Sequence, residues 1–300
     1  MSDAAESLGG PAPSLRVTDL TQIPDEPDPS LHHRRSWTFR TSLRDLWARR
    51  EVMVTLAERD IRASYKEASL GIAWAILTPL AMLIVLVLVF KRVKSFQIGD
   101  GVPYILFAYV GILPWQYFAS SLSNGGNSLL ANKVLLAKIH FPRECFPLAQ
   151  LLEAALNTAL ATSVLVVLFA INRFTPHIQT LWVPLFILIE VAFCAGVVLA
   201  ASALLVHVRD LVQALPLVVS LGMFATPVIW PFTKIPADIQ PVYSFFNPLG
   251  PIINNIRRTV LLGQGPTWGL LGIAAAGSLV YLIGGYAIFK HLETDLADIA

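Results

Sequence analysis

Two acidic residues, Glu153 and Glu190, stand inside long apolar runs of the chain. At the centre of a bilayer a charged side chain costs roughly 2.5–3.5 kcal/mol on insertion scales, so such residues mark a hydrogen-bonded packing contact or a transport pathway. Glu153 lies near the end of its run, within reach of an interface. Glu190 is deeper and is the candidate intramembrane functional acid. Neither belongs to the repeated acid pattern expected of a proton-coupled pump. The other constellations that carry chemistry are missing: the chain has no GxxxxGK[ST] loop, no HExxH, no CxxC and no spaced histidine cluster. No catalytic residue, cofactor site or metal site is therefore expected on this chain. Cys145 and Cys194, at a span end and inside a span, read as apolar fillers.

A second candidate chemistry is aromatic. Tyr104, Phe107, Tyr109, Trp115, Tyr117 and Phe118 crowd residues 102–122, and Phe224 and Trp230 fall in a later apolar run. Aromatic faces hold the apolar side of a sugar ring without many directional bonds, although they also simply pack. On a helix Tyr104, Phe107 and Phe118 share one side, with Tyr117 close by. Trp115 lies nearly opposite and is expected to anchor to lipid. Tyr104, Phe107, Phe118 and Phe224 are the expected wall of a substrate path.

These residues need spans to position them. Hydrophobic residues make up 55% of the 300 and charged residues 14%, well below the ~25% usual for a soluble domain. An all-α polytopic membrane protein with six transmembrane helices is expected, because about 20 uncharged residues match the bilayer core. The spans are read at residues 71–90, 102–122, 148–171, 181–206, 211–230 and 267–289. Pro79 should kink the first, Pro114 should break the second, and Pro216 and Pro227 should interrupt the fifth. Residues 1–40, rich in proline and acid, read as a disordered cytosolic tail without a signal peptide. Residues 41–66 read as an amphipathic interface helix, with Leu43, Leu46, Trp47, Met53, Val54, Ala57 and Ile61 at three- and four-residue steps. A polar link at 123–127 leads to a cytosolic helix at 128–139, and Pro142 and Pro147 should stop a helix on either side of Arg143-Glu144. The external loop 231–266 is proline-rich and suited to short re-entrant or interfacial helices. A cytosolic tail, 291–300, ends the chain.

Charge sets the orientation. The net charge is only +2, but fifteen of the 22 Lys and Arg fall in the segments that six spans place with the termini. Both termini are therefore expected in the cytosol of a cytoplasmic (inner) membrane. The same distribution argues for membrane lipids, and against nucleic acid, as the partner of these basic residues.

Several of these segments resemble one known family. RDIRASYKEASLGIAWAILTP, from Arg59 to Pro79, is similar to the entry motif of type-2 ABC exporter permeases that move polysaccharides. KIHFPRECFPL, from Lys138 to Leu148, resembles their Lys-x-x-Phe-Pro-Arg segment. Pro227 to Pro231 (PVIWP) and Asn247-Pro248 resemble the loop around their fifth span. The likeness covers about residues 45–290, in matching order. It implies an exporter of the O-antigen, teichoic-acid or galactan type, acting on a polymer held by an undecaprenyl-type lipid. It also implies a permease homodimer with two copies of a separate ATPase, which would carry ATP and Mg. The helices at 42–63 and 128–139 would dock on that ATPase, with Trp47, Asp60, Lys133, Lys138 and Arg143 as the coupling residues. Three rivals remain at this point. One is a drug or small-lipid exporter of the same superfamily. Another is an integral-membrane glycosyl- or acyltransferase, against which the absence of an acidic metal motif counts. The third is a membrane scaffold, which a Walker-type ATPase encoded beside this chain would disfavour.

Overall fold

The computed structural model describes residues 50–66, 71, 73–90, 102–138 and 142–293. Trp47, the 1–40 tail, the three basic residues after the first span and the 294–300 tail lie outside the described residues. Every regular element among those described is helical. In order they are α1 (Arg50–Lys66), α2 (Ala73–Phe90), α3 (Tyr104–Ala131), α4 (Lys133–Lys138), α5 (Cys145–Ile171), α6 (Val183–His207), α7 (Asp210–Ala225), α8 (Gln240–Phe246), α9 (Leu249–Val260) and α10 (Trp268–Glu293). Short 3-10 turns at Ile178–Trp182 and Phe232–Lys234 precede α6 and α8. Among the described residues four helices are long and apolar enough to cross a membrane: α3, α5, α6 with its leading turn, and α10. Ala73–Val85 and α7 are shorter apolar helices.

α3 is the central element. Leu106, Tyr109, Val110 and Ile112 along it are almost wholly buried. The helix runs through Pro114 without a break, contrary to expectation. The missing N–H of a proline inside such a helix is tolerated where neighbouring helices supply the packing. The 123–127 link is also helical: α3 continues to Ala131, so the expected 128–139 helix is divided at Asn132. The small residues there serve close packing, since a Cβ on Gly125 would lie 2.4 Å from Val198 of α6. Pro147 likewise sits in the first turn of α5, where a missing N–H leaves no intrahelical bond unmade. α7 passes Pro216 and stops at Ala225, because Thr226 precedes Pro227 and takes an extended conformation (ψ 141°).

α6 and α10 run parallel and nearly touch. A Cβ on Gly285 would lie 1.9 Å from the carbonyl oxygen of Gly196, and one on Gly196 would lie 2.2 Å from that of Tyr281. Helices in lipid associate through this kind of close backbone approach, because apolar burial alone provides no drive there. The outer faces of α5 and α10 are apolar, with Val166, Val167, Ile171, Leu279, Val280 and Ile283 exposed, as a lipid-facing surface requires. Trp182 and Trp268 meet edge to face, 4.8 Å apart, where α6 and α10 begin. The far ends of the same two helices lie with the basic residues of α1, α4 and the turn before α5.

Candidate functional site

Two polar assemblies stand at opposite ends of the bundle. The basic end is built around Asp60 on α1. Its Oδ1 accepts from Arg59 Nε at 2.7 Å, and its Oδ2 accepts from Gln150 Nε2 of α5 at 2.6 Å. Arg59 also donates to Asn132 Oδ1 at 2.9 Å, at the joint between α3 and α4. Asn132 closes α3 by donating its side-chain amide to the Ser128 carbonyl at 2.9 Å. One acidic side chain therefore ties the amphipathic helix to α5, and its neighbour Arg59 ties that helix to the start of α4. Charge-assisted bonds of this length are among the stronger polar contacts in proteins.

A second cluster lies at the same end. Lys290 Nζ bridges Glu144 Oε1 and Glu293 Oε2, each at 2.6 Å. Arg143 donates to the Glu293 carbonyl at 3.1 Å. The turn before α5 is thereby latched to the last turn of α10. Glu144 is only 2% exposed, and its Oε2 has no hydrogen-bond partner among the described residues, so Lys290 supplies its one ion pair there.

Of the sequence-predicted coupling residues, Asp60 is the centre of the first cluster, and Arg143 stands at the edge of the second, whose centre is Lys290. Lys133 is exposed at the start of α4 and Lys138 ends that helix. Arg59, Asn132, Gln150, Glu144, Lys290 and Glu293 were not singled out as site residues. Gln150 was the readable one, as a polar residue in an apolar run.

At the opposite end Arg257 of α9 is buried, with no carboxylate partner among the described residues. Its Nε donates to the Phe107 carbonyl at 3.1 Å, and Nη1 to the carbonyls of Pro227 and Trp230 at 2.7 and 3.5 Å. Nη2 donates to the Val228 carbonyl. The guanidinium also covers the Phe107 ring, 3.6 Å from its centroid. Burial pulls Arg257 down to about 9 while the neighbouring Tyr104 pushes the other way, so the side chain stays cationic at neutral pH. Nothing in the local sequence signals this contact, because its acceptors lie 150 and about 30 residues away.

The aromatic residues divide between the two sides of the protein surface. Phe107 is 6% exposed beneath Arg257, with Tyr104 stacked on it at 6.4 Å. Phe118 is half-buried between Trp115 and Phe193, at 5.4 and 5.5 Å. Phe224 presents its ring outward, 66% exposed near the end of α7. Trp115 does not face lipid: it is 4% exposed and lies over Gly222 of α7, whose missing side chain leaves room for the indole. Glu190 is 3% exposed on α6, with Oε1 lacking a hydrogen-bond partner among the described residues, and Glu153 is buried on α5.

The family model described as "ABC-2 type transporter" matches residues 51–261, from α1 through α9. The chain belongs to the ABC-2 type transporter family. It is similar to an O-antigen export system permease protein of Klebsiella pneumoniae, 28% identical over 83% of this chain and 95% of the relative. It is also similar to an O-antigen export system permease protein of Myxococcus xanthus, at 26% over 85% and 98%. A polysialic acid transport protein of Escherichia coli is 22% identical over 78% and 91%. This family member thus carries its relatives' length almost whole, and the Asp60 and Arg257 assemblies both fall inside the matched region.

Proposed function

We propose that this chain is the membrane permease of an exporter that moves a lipid-linked polysaccharide, of the O-antigen, teichoic-acid or galactan type, out of the cytosol. The reading is carried by the near end-to-end match to permeases named for O-antigen and polysialic acid. Two copies form a homodimer and bind two copies of a separate ATPase, which holds ATP and Mg. The carrier is an undecaprenyl-type lipid. The basic end of the bundle faces the cytosol of the inner membrane, which fits the positive-inside bias. Six spans then follow from the four long helices with Ala73–Val85 and α7 as the shorter two.

Nucleotide-driven motion enters through α1 and α4, with Trp47, Asp60, Lys133, Lys138 and Arg143 as the receiving residues. The Arg59–Asp60–Gln150 and Arg59–Asn132 bonds support this role, because a push on either helix reaches α3 and α5 through short charge-assisted contacts. A polymer too long for a closed pocket needs a continuous route with weak, releasable contacts. Tyr104, Phe107, Phe118 and Phe224 supply it, Phe224 presenting its ring and Phe107 backing Tyr104. Glu190, buried within α6, is the intramembrane acid of this reading.

The experiment is deletion of this chain from its native cell. Polymer should still be made but should remain inside, attached to lipid. Normal surface polysaccharide in the deletion strain would reject the reading.

A further inference from the structure

We propose that Arg257 is a positioning residue for the aromatic end of α7. The proposal rests on the reading of Phe224 as part of the sugar route. A helix ends with carbonyls that have no intrahelical partner. In α7 two of them are met from outside the helix: the Phe224 carbonyl accepts from Trp230 Nε1 at 3.1 Å, and the Ala225 carbonyl from the Tyr243 hydroxyl at 2.8 Å. Trp230 can do this only if the chain turns back after Pro227. That turn is fixed by Arg257, which binds the carbonyls of Pro227, Val228 and Trp230 with one edge and that of Phe107 with another.

The connection therefore runs from α3 through the guanidinium to the turn, then through the Trp230 indole to the carbonyl of Phe224. An exposed ring at an untethered helix end would have no fixed place. Here the backbone of Phe224 is tethered, while its ring faces outward. The guanidinium fork is specific to this task. Lysine keeps the charge but is a single point with no planar spread of donors, so it cannot hold carbonyls on α3 and on the turn together. Gly111 is the second part of the device. A Cβ there would lie 2.1 Å from Nη2 of Arg257 and 2.8 Å from the Val228 carbonyl oxygen. Gly111→Ala thus displaces the fork without removing its charge.

The test is a double-mutant cycle in the native cell, with chromosomal Arg257→Lys, Gly111→Ala, Phe224→Ala and the Arg257→Lys/Phe224→Ala pair. Membrane level of the protein is measured beside surface carbohydrate, extracted and sized on a gel. Arg257→Lys and Gly111→Ala should each insert at near-normal level and lower export several-fold per molecule. The double variant should export no less than the weaker single variant, because both act through one ring. Multiplied losses in the double variant would overturn the proposal, as would normal export in both Arg257→Lys and Gly111→Ala. Loss of both variants from the membrane would make Arg257 a stabiliser of the fold and would also overturn it. Normal export by Phe224→Ala alone would reject the sugar-route reading itself, a failure visible without any Arg257 variant.

Discussion

Adjacent glycines on α10 should respond to alanine with opposite signs. Gly285 faces α6, and its added Cβ would meet the Gly196 carbonyl oxygen at 1.9 Å and its carbon at 2.6 Å. A carbon–oxygen contact settles at about 3.3–3.6 Å, so the helices must part by more than about 1 Å. Both obstacles are backbone, so no side chain can swing away. Overpacking of this kind costs about 1–3 kcal/mol, and the figure should sit at the upper end because the whole crossing must shift. Gly284, one residue earlier, has nothing within 4 Å of its added Cβ. Alanine there should stabilise by roughly 0.4–1 kcal/mol through the unfolded state. The assay uses the protein's own thiols: Cys145 and Cys194 are both buried, so a thiol-reactive dye reports unfolding in detergent as temperature rises. The Gly285→Ala midpoint should fall below wild type and the Gly284→Ala midpoint should not. Equal losses in the two variants, or an unchanged Gly285→Ala, would refute the parallel α6–α10 contact.

Of three further predictions, two concern the basic end and one the topology. Reversing charge at Lys133 and Lys138 together, or replacing Asp60 by Asn, should lower stimulation of the proposed partner ATPase while leaving membrane insertion intact; unchanged stimulation, measured as phosphate release, would count against coupling here. Lys290→Met leaves the buried Glu144 without its cation and should destabilise by up to about 3 kcal/mol, whereas adding Glu144→Gln should recover much of the loss; dye-monitored melting separates the two. A cysteine at Ala131 should react with an impermeant reagent only after the inner face is opened, and one at Thr175 or Thr233 from outside; labelling of Thr175 only from inside would invert the topology.

What could be read from the sequence follows the range of the interactions involved. Apolar runs are local, and the four long helices lie where hydropathy places them. Helix ends were less legible. The Gly125-Gly126 pair reads as a link because glycine and asparagine favour turns, yet Gly125 is there so that Val198 can approach. Pro114 reads as a breaker, yet packing on every side holds the helix through it. Asp60 was legible only through a motif; its partner Gln150 lies 90 residues on, the Asn132 partner of neighbouring Arg59 lies 73 residues from that arginine, and no spacing rule connects them. Arg257 was illegible for the same reason. Its partners are backbone carbonyls, which carry no residue identity in the sequence.

The most direct test of the account is ATP-dependent movement of polymer. On the proposed reading, inverted inner-membrane vesicles containing this chain and the proposed partner ATPase should expose lipid-linked polysaccharide on their outer, formerly cytosolic, face. On adding ATP, that polymer should become protected from an added glycosidase as it enters the lumen, and protection should fail with a non-hydrolysable analogue or with an ATPase lacking its hydrolytic residue. Polymer that stays equally sensitive to the glycosidase with and without ATP would contradict the account.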